Sequence, residues 1–155
     1  MIWTDWGSAP KIEKATLSGK QRVAIVTSNL KWPNGIELDR GNKRLFWVDA
    51  GVDRVESVDY HGHNRKLLKR VTGFHPFGVA LIAPFLFLTD WATRSPIHKL
   101  DAGTGDYVIS SYSRSGWPMG IVAYDSARQP PGIRRCNYLG EGDGESRGSR
   151  DLKQP

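Results

Sequence analysis

Three aspartates recur along the chain at a nearly constant spacing. Asp5, Asp49 and Asp90 lie 44 and 41 residues apart, and each one ends a short aromatic or β-branched run. A carboxylate at that place can act as a general acid or base, or it can accept backbone N–H bonds, which its charge strengthens. Because all three belong to one repeated motif, we interpret them as structural acceptors for amides of a neighbouring repeat rather than as catalytic groups.

A second motif repeats in step with the aspartates and brings aromatic and titratable side chains. Its three copies are Trp32–Ile36, His75–Val79 and Trp117–Ile121, and their prolines lie 43 and 42 residues apart. The proline fixes φ where the chain enters a strand, and the glycine lets adjacent backbones approach closely. The motif glycines are Gly35, Gly78 and Gly120.

The large side chains of these motifs are candidates for binding a partner. Tryptophan buries a large area and keeps a polar N–H, so it is favoured where proteins bind one another. Residues at equivalent positions of successive repeats project onto one face, which makes that face the predicted binding surface. The candidates are Trp32, His75 and Trp117, which precede the prolines, and Trp6 and Trp91, which follow a Thr-Asp pair. The alternative is that these tryptophans pack between repeats.

No set of residues is typical of an active site. The sequence has no phosphate-binding glycine loop, and no nucleophile stands beside a base. His61, His63 and His98 are not spaced as zinc ligands, and the single cysteine, Cys136, cannot form an internal disulfide. We therefore predict no catalytic residue, no metal and no cofactor.

Composition argues against two further classes of protein. Lysine and arginine number 22 against 16 acidic residues, but the net charge of +6 is spread along the chain, so we predict no nucleic-acid partner. The longest apolar run, Val79–Leu88, has ten residues and contains Pro84, whereas a membrane span needs roughly 20. The residues after Met1 read as a strand without a basic start or an apolar core, so we expect no signal peptide, and no direct membrane contact, in this chain.

The repeats are built from short strands. Within residues 35–74 the pattern predicts strands at Gly35–Asp39, Arg44–Asp49, Arg54–Asp59 and Arg65–Val71, separated by turn-forming residues. Four strands at about ten-residue spacing, repeated every 40 to 45 residues, are typical of the blades of a β-propeller. The sequence therefore predicts an all-β fold, a partial β-propeller.

The motifs resemble those of a known family. Ile2–Trp6, Phe46–Asp49 and Phe87–Trp91 are similar to the Tyr-Trp-Thr-Asp (YWTD) repeat that builds the six-bladed propellers of the low-density lipoprotein receptor family. A WD40 propeller is disfavoured, because the sequence has no Trp-Asp dipeptide. At about 42 residues per blade, the chain would hold about three four-stranded blades of a six-bladed parent: strands 2 to 4 of one blade, two full blades, and a closing inner strand at Gly120–Asp125.

The resemblance also implies where the propeller ends. In the family, the closing strand runs into a Gln-Pro segment and then into the first cysteine of an epidermal-growth-factor-like module. Gln129, Pro130 and Cys136 resemble that junction. We therefore expect a partial propeller over residues 1–131, and over residues 132–155 a remnant of the junction with a disordered tail rich in glycine, serine and charge.

The resemblance implies a function without chemistry. The chain would be an extracellular ligand-binding segment of a membrane receptor of the cell surface or endosome, used in endocytosis or signalling. Its partners would be protein ligands, the receptor's own acidic cysteine-rich modules, and the missing propeller blades, while calcium would serve flanking modules. A histidine at the place of His75 is linked in lipoprotein receptors to ligand release at acid pH, where imidazole gains a proton.

Two further expectations follow from the half ring. Uncovered blade faces and edges invite association, so the isolated chain is expected to be unstable or to aggregate. The alternative function is that of a metal-dependent, lactonase-like propeller hydrolase, in which Asn34 would ligate a central ion. The equivalent residues Phe77 and Met119 cannot act as ligands, which weakens this alternative.

Overall fold

The computed structural model describes residues 1–92, 96–111 and 117–125. Within these residues the chain forms eleven β-strands, and no helix there is long and apolar enough to cross a lipid bilayer. In chain order the strands are β1 Ile2–Asp5, β2 Lys11–Lys14, β3 Val23–Val26, β4 Pro33–Asp39, β5 Arg44–Asp49, β6 Arg54–Asp59, β7 Lys66–Arg70, β8 Pro76–Ile82, β9 Phe85–Asp90, β10 Ile97–Asp101 and β11 Tyr107–Ser111.

The strands form three antiparallel sheets in which neighbours in sequence are neighbours in space. The first sheet has the order β1-β2-β3, the second β4-β5-β6-β7 and the third β8-β9-β10-β11. This arrangement confirms the predicted all-β, partial propeller, with each sheet as one blade. The predicted domain boundary at residue 131 and the tail over 132–155 lie outside the described residues.

The hydrophobic core lies between the blades, on both faces of the middle one. Side chains alternate along a strand, so Leu45 and Trp47 of β5 pack toward the first blade, beside Ile12. Phe46 and Val48 point the other way and pack against the third blade. A strand that is buried on both faces reads as a continuous apolar run, which is how the sequence of β5 reads.

The innermost strands of successive blades stand close together. A Cβ on Gly35 of β4 would lie 2.7 Å from the carbonyl oxygen of Phe77 in β8, so only glycine fits there. A Cβ on Gly78 would lie 3.0 Å from the carbonyl oxygen of Met119. Residues 117–125 therefore start beside β8, in the position of a third innermost strand. They form no strand, because none of the described strands pairs with them.

The repeated aspartates bind the segment that leads into their own blade. Asp49 accepts the amide N–H of Lys31 (2.8 Å) and of Trp32 (2.9 Å), and Asp90 accepts that of His75 (2.7 Å). These amides precede the inner strand of the same blade, so the expectation of amides from a neighbouring repeat was wrong. Asp5, the first of the three, is exposed.

Candidate partner-binding surface

Four rings of the second and third blades form a continuous series, which we call the aromatic row. Trp32 lies 6.1 Å from His75 between ring centroids, and His75 stacks on Trp91 at 5.6 Å. Trp91 in turn stacks on Phe77 at 4.8 Å. Trp32 and His75 stand just before β4 and β8, while Trp91 follows β9, so strand ends of both blades supply the row.

The backbone of the aromatic row is fixed by the same contacts in both blades. The carboxylates of Asp49 and Asp90 hold the amides of Trp32 and His75, as described above. The carbonyl oxygens of Trp32 and His75 accept the amides of Ala50 (3.2 Å) and Trp91 (3.1 Å), respectively. Because each of these two residues is bound through its N–H and its C=O, the rings are presented from a rigid frame.

A pocket of about 560 Å³ opens beside the aromatic row. It is lined by His75, Trp91, Ala92, Trp117 and Met119. Trp117 is 72% exposed, and the indole N–H of Trp91 donates to the carbonyl oxygen of Pro118 (2.9 Å), which fixes the pocket wall. An apolar, partly open pocket with one titratable group is the kind of site that receives a side chain of a partner.

The predicted site residues therefore divide into two groups. Trp32, His75 and Trp91 lie in the aromatic row and Trp117 beside it, whereas Trp6 lines a second groove of about 320 Å³. Phe77 borders that groove while it stacks on Trp91, so the two groups adjoin. The alternative of packing between repeats does not describe Trp6, which is 59% exposed.

Sequence reasoning missed two members of this surface. Phe77 was considered only as a failed metal ligand, although it ends the aromatic row. Lys31 places its ammonium 4.8 Å from the ring centroid of Trp32, so a cation adjoins the exposed face of that ring. The order Lys-Trp-Pro is visible in the sequence, but which way Lys31 points is decided by the fold.

A buried histidine, His98, contacts the carboxylate of Asp90, which in turn holds the backbone of the aromatic row. Nε2 of His98 lies 3.3 Å from Oδ2 of Asp90, and Nδ1 lies 2.9 Å from the hydroxyl of Ser110. The imidazole also stacks on Phe74 at 4.3 Å. Nearby, burial together with the charge of Asp90 raises the pKa of Tyr107 to about 12. One carboxylate thus contacts both the buried histidine and the backbone of His75.

The first and second blades have an ion pair at the position that His98 occupies in the third blade. Arg22 donates to Glu13 (Nε to Oε1, 2.9 Å), and its hydrogen bond holds the pKa of Glu13 below the usual value. Arg65 donates to Glu56 (Nη2 to Oε2, 2.7 Å) in the same manner. Both pairs have a spacing of nine residues, and that spacing was a signal available in the sequence.

Each pair belongs to a three-residue unit with the motif tryptophan. Glu13 and Glu56 lie opposite Trp3 and Trp47 in the strand ladders, and the guanidinium carbons lie 5.3 and 5.2 Å from the two ring centroids. In the third blade the equivalent unit is Leu88, His98 and Tyr107. The replacement of tryptophan by Leu88 therefore accompanies the loss of the ion pair, which makes the blade beneath the pocket chemically distinct.

The described part of the chain contains no cluster of metal-ligating side chains. No group of three histidine, cysteine, aspartate or glutamate side chains comes together among these residues. The amide group of Asn34 donates to the carbonyl oxygen of Pro76 (3.0 Å), so it is engaged between two inner strands. These contacts do not favour the hydrolase alternative.

Comparisons with known proteins agree with the repeat pattern. The family model of the low-density lipoprotein receptor repeat class B matches residues 1–39. The vitellogenin receptor Yl of Drosophila melanogaster is 36% identical over 137 residues, which cover 88% of this chain and 7% of that protein. The human low-density lipoprotein receptor-related protein 5-like protein is 33% identical over 102 residues, covering 64% of this chain and 40% of that one. The chain therefore spans less than half the length of either relative.

Solved structures show the same fold. A chain in the crystal structure of the nidogen/laminin complex superposes with a TM-score of 0.72 and 31% identity, covering 78% of this chain and 46% of that chain. A gluconolactonase from Xanthomonas campestris superposes with a TM-score of 0.62 at 16% identity, covering 79% of this chain and 40% of that one. At that identity the second likeness concerns the fold alone.

Proposed function

Because the chain carries the low-density lipoprotein receptor class B repeat and folds as part of a YWTD β-propeller, we propose that it is a ligand-binding segment of an extracellular receptor. Two of the relatives are receptors or receptor-related proteins by name, which supports a role in binding rather than in catalysis. The proposed place is the outer side of a membrane receptor, at the cell surface and in endosomes. The proposed partners are proteins, not nucleic acids or the membrane itself.

The aromatic row and its pocket carry this proposal. Trp32 is 39% exposed and Trp117 is 72% exposed, although both are large apolar side chains, and the backbone of Trp32 is held at both its N–H and its C=O. Exposed tryptophans around a pocket are typical of the centre of a protein interface, where the largest share of the binding energy is found. The ammonium of Lys31 beside Trp32 favours an acidic partner, such as a cysteine-rich module with surface carboxylates.

We extend the proposal to release at acid pH, which depends on His75. Its ring lies between those of Trp32 and Trp91, so a proton gained in the endosome places a positive charge inside the aromatic row. That charge adds to the charge of Lys31. The protonated surface then binds an acidic module of the same receptor more strongly and expels a ligand held through apolar contacts.

The experiment measures binding of a folded, calcium-loaded, acidic cysteine-rich module to the immobilised chain at pH 7.4 and pH 5.5. Trp32→Ala and Trp117→Ala are each expected to weaken binding by at least tenfold at both pH values. His75→Ala is expected to abolish the gain in affinity at pH 5.5. Leu17→Ala, which removes a side chain that is 88% exposed and outside the surface, is the matched control. Equal affinities for all four variants at both pH values would refute the proposal.

A further inference from the structure

Two arginines of the second blade face each other without an acidic partner. Arg54 of β6 lies directly opposite Arg70 of β7 in the ladder. Residues that are opposite in adjacent strands have their side chains on the same face of the sheet, where like charges are destabilising. Among the residues that the structure describes, neither arginine side chain forms an ion pair or donates a hydrogen bond. The blade therefore carries two cations side by side that it does not neutralise itself.

The two carboxylates nearest in sequence leave Arg54 without a partner. Asp49 lies opposite Arg54 in the ladder with β5 and is fully buried. Its oxygens accept four backbone amides, those of Lys31, Trp32, Gly51 and Val52. Asp53, the residue before Arg54, makes no ion pair within the described chain. Nε of Arg54 is buried and has no hydrogen-bond partner. Because buried donors in native proteins are normally hydrogen-bonded, this side chain is suited to an external acceptor.

A third cation connects the two arginines with the aromatic row. A Cβ on Gly51 would lie 2.5 Å from Cβ of Lys31, so the stem of Lys31 lies against the turn that leads into β6. The ammonium of Lys31 adjoins the ring of Trp32, as described above. We call Lys31, Arg54 and Arg70 the basic row. They stand at the end of the blade where β4 and β6 begin and β7 ends, which is also the end that carries the aromatic row.

The equivalent positions of the other two blades differ. In the first blade, the residue opposite the motif aspartate is Lys11, and its ammonium lies 3.6 Å from Oε2 of Glu13. In the third blade the corresponding residue is Pro96, which has no charge and accepts the backbone amide of Asp90. The unpaired cations therefore belong to the second blade and not to the repeat, so the blade fold does not require them.

We propose that the basic row binds two carboxylates of an extended acidic peptide segment, and that an apolar residue of the same segment enters the pocket beside His75. This inference rests on the proposed binding function and adds the class of ligand. An arginine fork binds a carboxylate through two parallel hydrogen bonds. The rest of the pocket wall is apolar, formed by Trp91, Ala92, Trp117 and Met119. A peptide brings an apolar side chain to that wall, whereas a sulfated polysaccharide has none.

The dimensions of the blade set the spacing of the acidic residues. Strand β5 separates β4 from β6, and neighbouring strands are about 4.8 Å apart, so the Lys31 end of the basic row lies about 10 Å from Arg54. In a polyproline II segment, residues three apart project to the same side and lie about 9 Å from each other. Two acidic residues with this spacing reach both ends of the basic row. A side chain three residues further reaches beyond Trp32 to the pocket.

The test measures binding to the immobilised full chain at pH 7.4. The probe is a synthetic peptide with two glutamates three residues apart and a leucine three residues further. Arg70→Ala, which removes an exposed side chain, and Arg54→Gln are each expected to weaken binding by about tenfold, because each removes a charge-assisted hydrogen bond. The matched control is Arg40→Ala, which removes an exposed arginine at the opposite end of the same blade and should leave the affinity unchanged. A peptide with glutamines in place of the glutamates should bind the wild type and Arg70→Ala equally weakly.

Four results would overturn the basic row. The first is that the peptide does not bind the wild type. The second is an affinity that Arg70→Ala and Arg54→Gln leave unchanged, and the third is an equal loss in Arg40→Ala, which would show a general effect of net charge. The fourth is a heparin oligosaccharide that binds more tightly than the peptide and depends equally on Arg70, which would assign the site to a sulfated polysaccharide.

The same assay separates this inference from the proposed function. If Trp32→Ala weakens peptide binding while the arginine variants do not, the aromatic row binds its partner and the basic row has no part in it. If the arginine variants weaken binding while Trp32→Ala and Trp117→Ala do not, the basic row binds carboxylates and the role proposed for the aromatic row is refuted. Loss in both sets of variants supports both.

Discussion

The guanidinium of Arg65 joins a buried carboxylate of the second blade to the segment that follows the first blade. It donates two hydrogen bonds to Glu56 and one each to the carbonyl oxygens of Ser28 (2.7 Å) and Asn29 (3.3 Å), which lie between the first and second blades. The side chain of Glu56 is 5% exposed and that of Arg65 is 23% exposed. The substitution Arg65→Ala would therefore leave a carboxylate buried without its partner.

The expected loss can be estimated from that burial. Breaking a buried ion pair by removing one partner costs about 3–5 kcal/mol. Because water reaches part of Arg65, we expect a loss at the lower end of that range, about 3 kcal/mol. Complete native domains are stable by about 5–15 kcal/mol. Uncovered blade faces are expected to place this chain at the low end of that range, so the loss is a large share of the total.

The assay is urea unfolding at pH 7 and fixed protein concentration, followed by tryptophan fluorescence, since Arg65 lies over the ring of Trp47. The matched control is Arg22→Ala in the first blade, where the arginine side chain is 55% exposed and Glu13 keeps a second cation, Lys11, at 3.6 Å. It should cost much less, since the exposed arginine is screened by water and the carboxylate is not left without a cation. If both variants lose equal stability, a carboxylate left without its cation is not the reason for the effect.

Double substitution separates the charge from the packing. Glu56→Gln with Arg65→Met removes both charges, so no carboxylate remains without a partner. This variant should recover much of the stability lost in Arg65→Ala, because replacing both partners is far less costly than removing one. A double variant that is no more stable than Arg65→Ala would refute the reasoning.

Two further predictions concern close packing and pH. Gly35→Ala places a Cβ 2.7 Å from the neighbouring inner strand and should lower the free energy of unfolding by about 1–3 kcal/mol. The control Gly7→Ala, which has no atom within 4 Å of the added Cβ, should change that free energy little. Equal urea midpoints for the two variants would contradict this prediction. The hydrogen bond from Arg22 lowers the pKa of Glu13 below its ordinary value of 4.5. The ionised Glu13 therefore stabilises the folded state above pH 4.5, and this stabilisation is lost as the pH falls through the folded-state pKa. The difference in stability between the wild type and Glu13→Gln should therefore shrink in acid, and a difference that stays constant from pH 7 to pH 3 would show that the ion pair is not its source.

Much of the fold could be predicted from the repeats, because strand periodicity and turn residues are local features. Arg44–Asp49 and Arg54–Asp59 were predicted with the bounds that the structure gives. The inner strand begins at Pro33 rather than Gly35, since Pro33 already lies opposite Asp49 in the ladder. The predicted strand Arg65–Val71 is shorter by a residue at each end, because Arg65 turns toward Glu56 and Val71 binds back to Asp53.

The candidate site was only partly readable in the sequence. The positions of Trp32, His75 and Trp117 before the prolines predicted one face, because equivalent residues of successive blades face the same way. The sequence did not assign Phe77 to this surface, because the ring that it contacts, Trp91, is distant in sequence. It did not assign Lys31 either, because the fold decides how the ring of Trp32 is oriented relative to it. Whether these residues bind a partner stays a prediction.

The sequence by itself determined the repeat, the strands and the order of the blades, since period and turn chemistry are carried by neighbouring residues. Only the tertiary structure decided where each carboxylate goes. Asp49 binds amides 17 and 18 residues earlier, Asp90 is shared between His75 and His98, and Glu56 meets an arginine across a β-bulge. The physical reason is that a carboxylate accepts hydrogen bonds from donors that the folded chain brings within about 3 Å of it. Which donors come that close depends on the tertiary structure and not on their distance along the sequence.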